Sequence, residues 1–225
     1  MQSNLAESHV LEERAAAIAH EVKNPLTMVG LNLDILEASD KRLGADRNYA
    51  MIRKELRKIS DLMMDFIYLS SSGQNDMEEV TISSLLNEIR NDLSISMPNI
   101  FVKIAHPNDS LVLHANENSL RKLFNNIIKN ATEAMEYSGE IRINTLVQDD
   151  YITIQVRDSG PGICPSVRER LFKEPFTTKP LGSGLGLSIC KKIAEEHSGH
   201  FTLDNSENGG CVATVTLKRF PSRMC

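Results

Sequence analysis

His20-Glu21-Val22-Lys23-Asn24-Pro25-Leu26 lies inside a long apolar repeat, and the reading of that repeat decides the first half of the fold. From Leu11 to Leu36 the apolar positions are Leu11, Ala15, Ile18, Val22, Pro25, Val29, Leu33 and Leu36, spaced by three or four residues. That spacing is the seam of a packed helix. At about 100° per residue the seam clusters within roughly 40° of one direction, and His20 lies about 180° from it. The imidazole is therefore expected to face solvent, with Asn24 and Thr27 on the same side. Pro25 inside the helix removes a backbone hydrogen bond and predicts a kink one turn past His20.

Tyr49, Ile52, Leu56, Ile59, Met63 and Phe66 repeat the pattern, and Ser39 to Asp46 between the two runs reads as a loop with Gly44. Two long helices and a short connection make an antiparallel hairpin. A lone hairpin cannot cover so long a seam, so two copies are expected to pair into a four-helix bundle, a homodimer. Residues 1–70 form this unit and 71–79, opening on Ser-Ser-Gly-Gln-Asn-Asp, a linker.

Beyond the linker the pattern mixes helix and strand periods. Ile82, Leu85, Leu86 and Ile89 predict a short helix, 100–105 and 111–113 strands, and Asn116 the cap of a helix to about Met135. Ile141, Ile143 and Leu146, then Ile152, Ile154 and Val156, mostly alternate, as half-buried strands do. A helix from Ser183 to His197 and strands at 201–203 and 212–217 complete an α/β layer pair over 80–219, with a tail at 220–225. The fold class is therefore α+β, a helical hairpin followed by an α/β sandwich.

Bulk properties exclude several functions. A net charge of −5 gives no basic footprint for nucleic acid. No apolar run approaches the ~20 residues that span a membrane, and no signal peptide is visible. Cys164, Cys190, Cys211 and Cys225 are scattered, so free thiols in a reducing cytoplasm are expected rather than a zinc site. Gly199 between His197 and His200 marks a helix end, which makes both histidines cap or surface residues rather than metal ligands.

The chemistry-bearing residues fall into groups. A neutral imidazole is a competent nucleophile near neutral pH, and the phosphoramidate it forms can pass its phosphoryl group onward. Glu21 is the candidate to orient the ring or accept its second proton, and Asn24, one turn on, to position a water for hydrolysis. Asn126 and Asn130 share one face of a helix, where they are either satisfied core amides or oxygen ligands for Mg²⁺ held against phosphates. Lys129 beside them is either a phosphate contact or an outward, solvated lysine. Asp158-Ser159-Gly160-Pro161-Gly162 follows a strand directly and is either a plain turn or the wall of a pocket. Glycines at 182, 184 and 186 run into a helix and free backbone amides for anionic oxygens. The third glycine falls one residue early for a dinucleotide fingerprint, and no P-loop is present.

These stretches, taken in order, resemble the sensor histidine kinases. The segment 20–26 is similar to their H-box, and the hairpin to their HisKA-type dimerisation and phosphotransfer domain. Asn126 to Ala131 is similar to the N-box, and 172–179, Phe-Lys-Glu-Pro-Phe-Thr-Thr-Lys, to the F-box. Gly182 to Leu187 is similar to the last glycine box, so the likeness covers nearly the whole chain. It implies an ATP-binding domain of the GHKL (Bergerat) type, with ATP and Mg²⁺ as cofactors. In such a domain Asp158 accepts a hydrogen bond from the adenine amino group, and Gly160 and Gly162 let the base approach the backbone. Thr177, Thr178, Lys179, Gly182, Gly184, Leu185 and Gly186 belong to the lid side of the nucleotide, with Asn126 and Asn130 as metal ligands. The implied activity is autophosphorylation of His20, the ATP domain swinging on the linker near Ser70 to Asp76. Transfer to an aspartate of a response regulator receiver domain follows. Further implied partners are a second copy of the chain and a small inhibitor protein on the bundle, with membrane contact only through regions outside this chain.

A narrower likeness, in Glu174 to Lys179 and Gly184 to Ser188, is to the sporulation kinases of spore-forming bacteria. Two departures stand out: Asn116 replaces a frequent Asp, and Glu133 stands where some members carry a basic residue. A chaperone- or repair-type ATPase shares the nucleotide fold but has no histidine on an upstream hairpin. A dimerising scaffold would have lost Asn126, Asn130 or Asp158.

Overall fold

The computed structural model of the 225-residue chain describes residues 2–70, 76–105, 111–168, 170–171, 184–207 and 209–219. On the first helix, side chains are described at Ile18 and from Glu21 onward. The backbone divides into two compact units, Met1–Ser72 and Gly73–Cys225.

The first unit is a hairpin of α1 (Gln2–Ser39) and α2 (Arg47–Ser70). The connection contains a 3-10 turn, Lys41–Ala45, whose N-cap Asp40 accepts the Arg42 N–H at 3.0 Å. Asp46 accepts the Tyr49 N–H at 2.9 Å and so starts α2. Tyr49 is the one buried side chain of this unit among the described residues. Its hydroxyl donates to the Leu33 carbonyl at 2.5 Å. Arg53 reaches across to Glu37 and Asp34, at 2.6 Å each, so that end of the hairpin is fixed in register.

The seam is corrected in one respect. The side chains of α1 turned towards α2 are the half-buried Leu26, Leu33 and Glu37, and at Gly30 an added Cβ would lie 3.7 Å from Leu56. Ile18, Val22, Val29 and Leu36 are exposed. On α2, Tyr49, Leu56 and Met63 point inward, whereas Ile52, Ile59 and Phe66 are exposed. The stripe is too wide for one partner helix, so the hairpin covers one flank and leaves the other open.

The second unit is a two-layer sandwich. Its strands are β1 (Glu78–Thr81), β2 (Ile100–Ala105), β3 (Val112–Ala115), β4 (Gly139–Gln148), β5 (Tyr151–Asp158), β6 (His200–Asn205) and β7 (Cys211–Lys218). Five of them form a sheet in the order β2-β4-β5-β7-β6, with only β2 and β4 parallel. The helices are α3 (Ile82–Ser96), α4 (Glu117–Ala134), α5 (Pro165–Arg168) and α6 (Gly186–Glu196). Alternation along the strands sends Ile141, Ile143, Ile152, Ile154 and Val215 into the core, while Arg142, Asn144 and Gln155 stay exposed. The apolar faces of α4 (Leu120, Leu123, Phe124, Ile127) and α6 (Ile189, Ile193) meet that sheet face.

Three local expectations need adjustment. Glu78 and Glu79, placed in the linker, pair with Ala115 and His114 in a small antiparallel sheet. The helix expected from Ser183 begins at Gly186, with Gly184 at φ +70 and Leu185 as its N-cap; Ser183 lies outside the described residues. His197 is a C-cap, as read, but it is buried rather than at the surface. Its Nδ1 faces the Ile193 carbonyl at 2.7 Å and its Nε2 accepts the Asn116 N–H at 3.1 Å, so the two nitrogens bridge α6 and the start of α4. Asn116 in turn caps α4 by accepting the Ser119 N–H at 2.8 Å.

Phe124 is fully buried between these layers. Truncating it, Phe124→Ala, is expected to cost about 3–5 kcal/mol. Urea unfolding followed by circular dichroism checks the figure.

Candidate nucleotide site

The site is organised by α4. Asn126 and Asn130 are both half-buried on it, and Lys129 is exposed. An added Cβ at Gly186 would lie 3.9 Å from the Asn126 amide, so Asn126 faces the first turn of α6, whose leading N–H groups have no helical partner. Among the described residues, the Asn126 Nδ2 is buried without a hydrogen-bond partner. A donor left this way normally costs free energy, and an incoming acceptor would relieve it. At the other end of α4, its C-cap Met135 meets the loop after β5. The Ser159 hydroxyl donates to Met135 Sδ at 3.2 Å, and that hydroxyl accepts the Glu140 N–H at 3.0 Å. From Asn126 to Met135 the helix axis rises about 13 Å.

Asp158 ends β5 and is 8% exposed. Its Oδ1 accepts two backbone N–H bonds, from Gly160 at 2.8 Å and from Cys211 at 3.1 Å. One oxygen is thereby fixed, and Oδ2 takes no part in these two bonds. Gly210, at φ +78, crosses so close that an added Cβ would stand 2.0 Å from the Asp158 carbonyl oxygen. Gly162, at φ +80, leaves 2.8 Å between an added Cβ and Asn205 Oδ1. A carboxylate oxygen held this way selects a base with an amino group over one with a carbonyl at the same position.

Of the residues expected from sequence, Asp158, Gly160 and Gly162 share one loop, and Asn126 and Gly186 meet across α4 and α6. Glu21 and Asn24 are exposed on α1. The His20 side chain and all of Thr177, Thr178, Lys179 and Gly182 lie outside the described residues. Sequence reasoning missed Gly210, Cys211, Asn205 and Met135. The only available signal was the Gly209-Gly210 pair before the last strand.

Residues 115–221 match the family of histidine kinase-, DNA gyrase B-, and HSP90-like ATPases. The catalytic domain of the histidine kinase ThkA superposes with a TM-score of 0.59 at 31% identity, covering 64% of this chain and 95% of that one. The chain belongs to the histidine kinases. It is also 31% identical over 216 residues to sporulation kinase E of Bacillus subtilis, covering 93% of this chain and 29% of that protein. ThkA in complex with the response regulator protein TrrA matches with a TM-score of 0.67 at 26% identity, over 99% of this chain and 65% of that one. The chain therefore spans less than a third of sporulation kinase E. Its second unit is an ATP-binding domain of the family.

The two thiols that flank the base loop behave oppositely. Burial, then the charges of Asp158 and Asp204, push the Cys211 thiol up to about 12. The Ser166 hydroxyl, then its N–H, hold the exposed Cys164 thiol below the ordinary cysteine range. A lowered thiol carries more thiolate at a given pH, and thiolate is the nucleophile. Iodoacetamide at neutral pH is therefore expected to label Cys164 well before Cys211, and to go on doing so as the pH is lowered by a unit. Peptide mass spectrometry over time checks the order.

Proposed function

We propose that the chain is the core of a protein-histidine kinase that binds ATP with Mg²⁺, moves the γ-phosphate onto His20, and passes it to an aspartate of a response regulator. The observation that carries the reading is Asp158, almost buried beside the glycines of its loop, with one oxygen locked by two amides. The α4 helix leads from that loop to the amides of α6, which supports a nucleotide lying along it with its base at one end and its phosphates at the other. Asn126 suits the phosphate end, because its orphaned Nδ2 fits an anionic oxygen.

The residues present fit a magnesium ion. Amide oxygens of Asn126 and Asn130 are hard donors at helical spacing, with phosphate oxygens and waters to complete the shell. Bound there, Mg²⁺ would neutralise charge on the phosphates. Among the described residues no cluster of three His, Cys, Asp or Glu competes as a metal site. Phosphoryl transfer needs mainly positioning and charge neutralisation, so the chain's work is to hold the nucleotide and present a nucleophile. His20 is that nucleophile. Glu21 beside it is exposed and can accept the second ring proton, and Asn24 is exposed one turn on. The relatives named sporulation kinases support a phosphorelay as the setting, and the histidine kinase solved with TrrA supports a receiver domain as acceptor. Among the described residues no helix is long and apolar enough to cross a membrane.

The open flank of the hairpin supports a homodimer. Val22, Val29 and Leu36 on α1, and Ile52, Ile59 and Phe66 on α2, recur every seven residues and are exposed. A groove of about 570 Å³ runs along this flank, lined by Val29, Met51, Ile52, Leu56 and Ile59 among others. In a four-helix bundle each helix has two neighbours, one from its own hairpin and one from the second copy.

Incubation with γ-labelled ATP is expected to give an acid-labile, base-stable label that is lost in His20→Gln. A label that survives this substitution contradicts the assignment. Asp158→Asn replaces an acceptor by a donor and is expected to weaken ATP binding by roughly 10- to 100-fold, read by calorimetry. The double variant Ile52→Glu, Ile59→Glu is expected to sediment as a monomer where the unaltered chain sediments as a dimer.

A further inference from the structure

Recognition by Asp158 is only as sharp as the following loop is stationary, and a side chain 47 positions after it holds that loop. Asn205, the last residue of β6, meets Ile163 with both ends of its amide. Its Oδ1 accepts the Ile163 N–H at 2.6 Å, and its Nδ2 donates to the Ile163 carbonyl at 2.9 Å. The pairing copies a rung of a β-ladder, one donor and one acceptor satisfied together, at a residue that belongs to no strand. Asn205 is also the register partner of Cys211, whose N–H donates to Asp158. A ring therefore closes. Asp158 is tied to Cys211, Cys211 is paired with Asn205, Asn205 is tied to Ile163, and the chain returns through Gly162 and Gly160 to Asp158. Cutting the ring at Asn205 removes the two hydrogen bonds that hold Ile163 and leaves the exposed Arg168–Asp204 pair as the next tie along the chain.

We propose that Asn205 is a positioning residue of the base pocket, whose two-bond pairing with Ile163 sets both the affinity for adenine and its selection over guanine. The proposal rests on the reading of 158–162 as the base site. The chemistry demands an amide. A carboxylate keeps the acceptor for the Ile163 N–H but sets a second acceptor against the Ile163 carbonyl, and an alanine supplies neither. The neighbouring Arg168–Asp204 ion pair, at 2.5 Å, ties α5 to the same strand. Its side chains are 58% and 47% exposed, so it contributes little and serves as the control.

The test is titration of the chain, unaltered and as Asn205→Ala, Asn205→Asp and Arg168→Ala, with adenosine, ADP, ATP and GTP. Losing two hydrogen bonds is expected to weaken binding of adenosine, ADP and ATP by a common factor of about tenfold. The preference for ATP over GTP is expected to shrink, while Arg168→Ala stays within about twofold. A role confined to stability would lower the melting temperature without changing the ATP-to-GTP ratio, and that outcome overturns the proposal. So does Asn205→Asp, close to isosteric and the variant to read if the alanine fails to fold, binding adenosine as the unaltered chain does. A loss confined to ATP would place the effect at the phosphates and also overturn it. An unaltered chain that binds neither adenosine nor ATP removes the base-site reading itself, and this proposal with it.

Discussion

The carboxylate oxygen shared between the Gly160 and Cys211 amides is the constraint on which the ATP-binding unit depends. Two backbone donors converge on Oδ1 of one side chain, and they come from segments separated by about fifty residues. For both to reach it, β5 must end at Asp158, the chain must turn at Gly160, and β7 must begin at Cys211. Gly210 has to pass with no side chain at all, because the Asp158 carbonyl occupies the space a Cβ would need. The arrangement also explains why the candidate base site lies at the end of the sheet. Strand ladders satisfy their own amides, and only where β5 and β7 run out are two N–H groups left to hold a carboxylate.

The same logic separates what could be read in advance from what could not. The helix α4 was legible because its cap, Asn116, and its apolar period agree, and its two asparagines share a face that any helix would give them. Asp158 stood out because a charged residue ends an apolar strand and two glycines follow. The ties that hold it were not legible. Backbone donors carry no side-chain signature, so nothing in the string marks Cys211 N–H as a partner. Asn205 reads as an ordinary turn residue until Ile163 is placed against it. Strand β1 escaped because Glu78 and Glu79 do not alternate, and its pairing with β3 is a property of the partner strand. His197 reads as a cap or surface residue and is the cap, and it accepts an N–H that only the fold delivers.

The hairpin shows a different limit. Its stripe of apolar residues was correct as a set and incomplete as a direction. Periodicity reports how many apolar side chains lie on one side of a helix, and not how they are shared between neighbours. Here the sharing follows the heptad. Tyr49, Leu56 and Met63 turn inward within the hairpin, and Ile52, Ile59 and Phe66, three places on in each repeat, turn away from it.

This division sets the two units apart physically. The ATP-binding unit encloses its own core, with Phe124, Ile141 and Ile154 almost wholly withdrawn from water. The hairpin buries only Tyr49 among its described side chains and depends on polar ties at its loop end, where Arg53 bridges Asp34 and Glu37. Exposed ion pairs of that sort fix register better than they stabilise. A helix pair held in register but short of buried apolar area leaves one apolar flank in water. Its folding free energy is therefore linked to the binding of whatever covers the open flank. A second copy of the same stripe matches its length and its seven-residue spacing, and would make the stability of the helix that bears His20 depend on chain concentration.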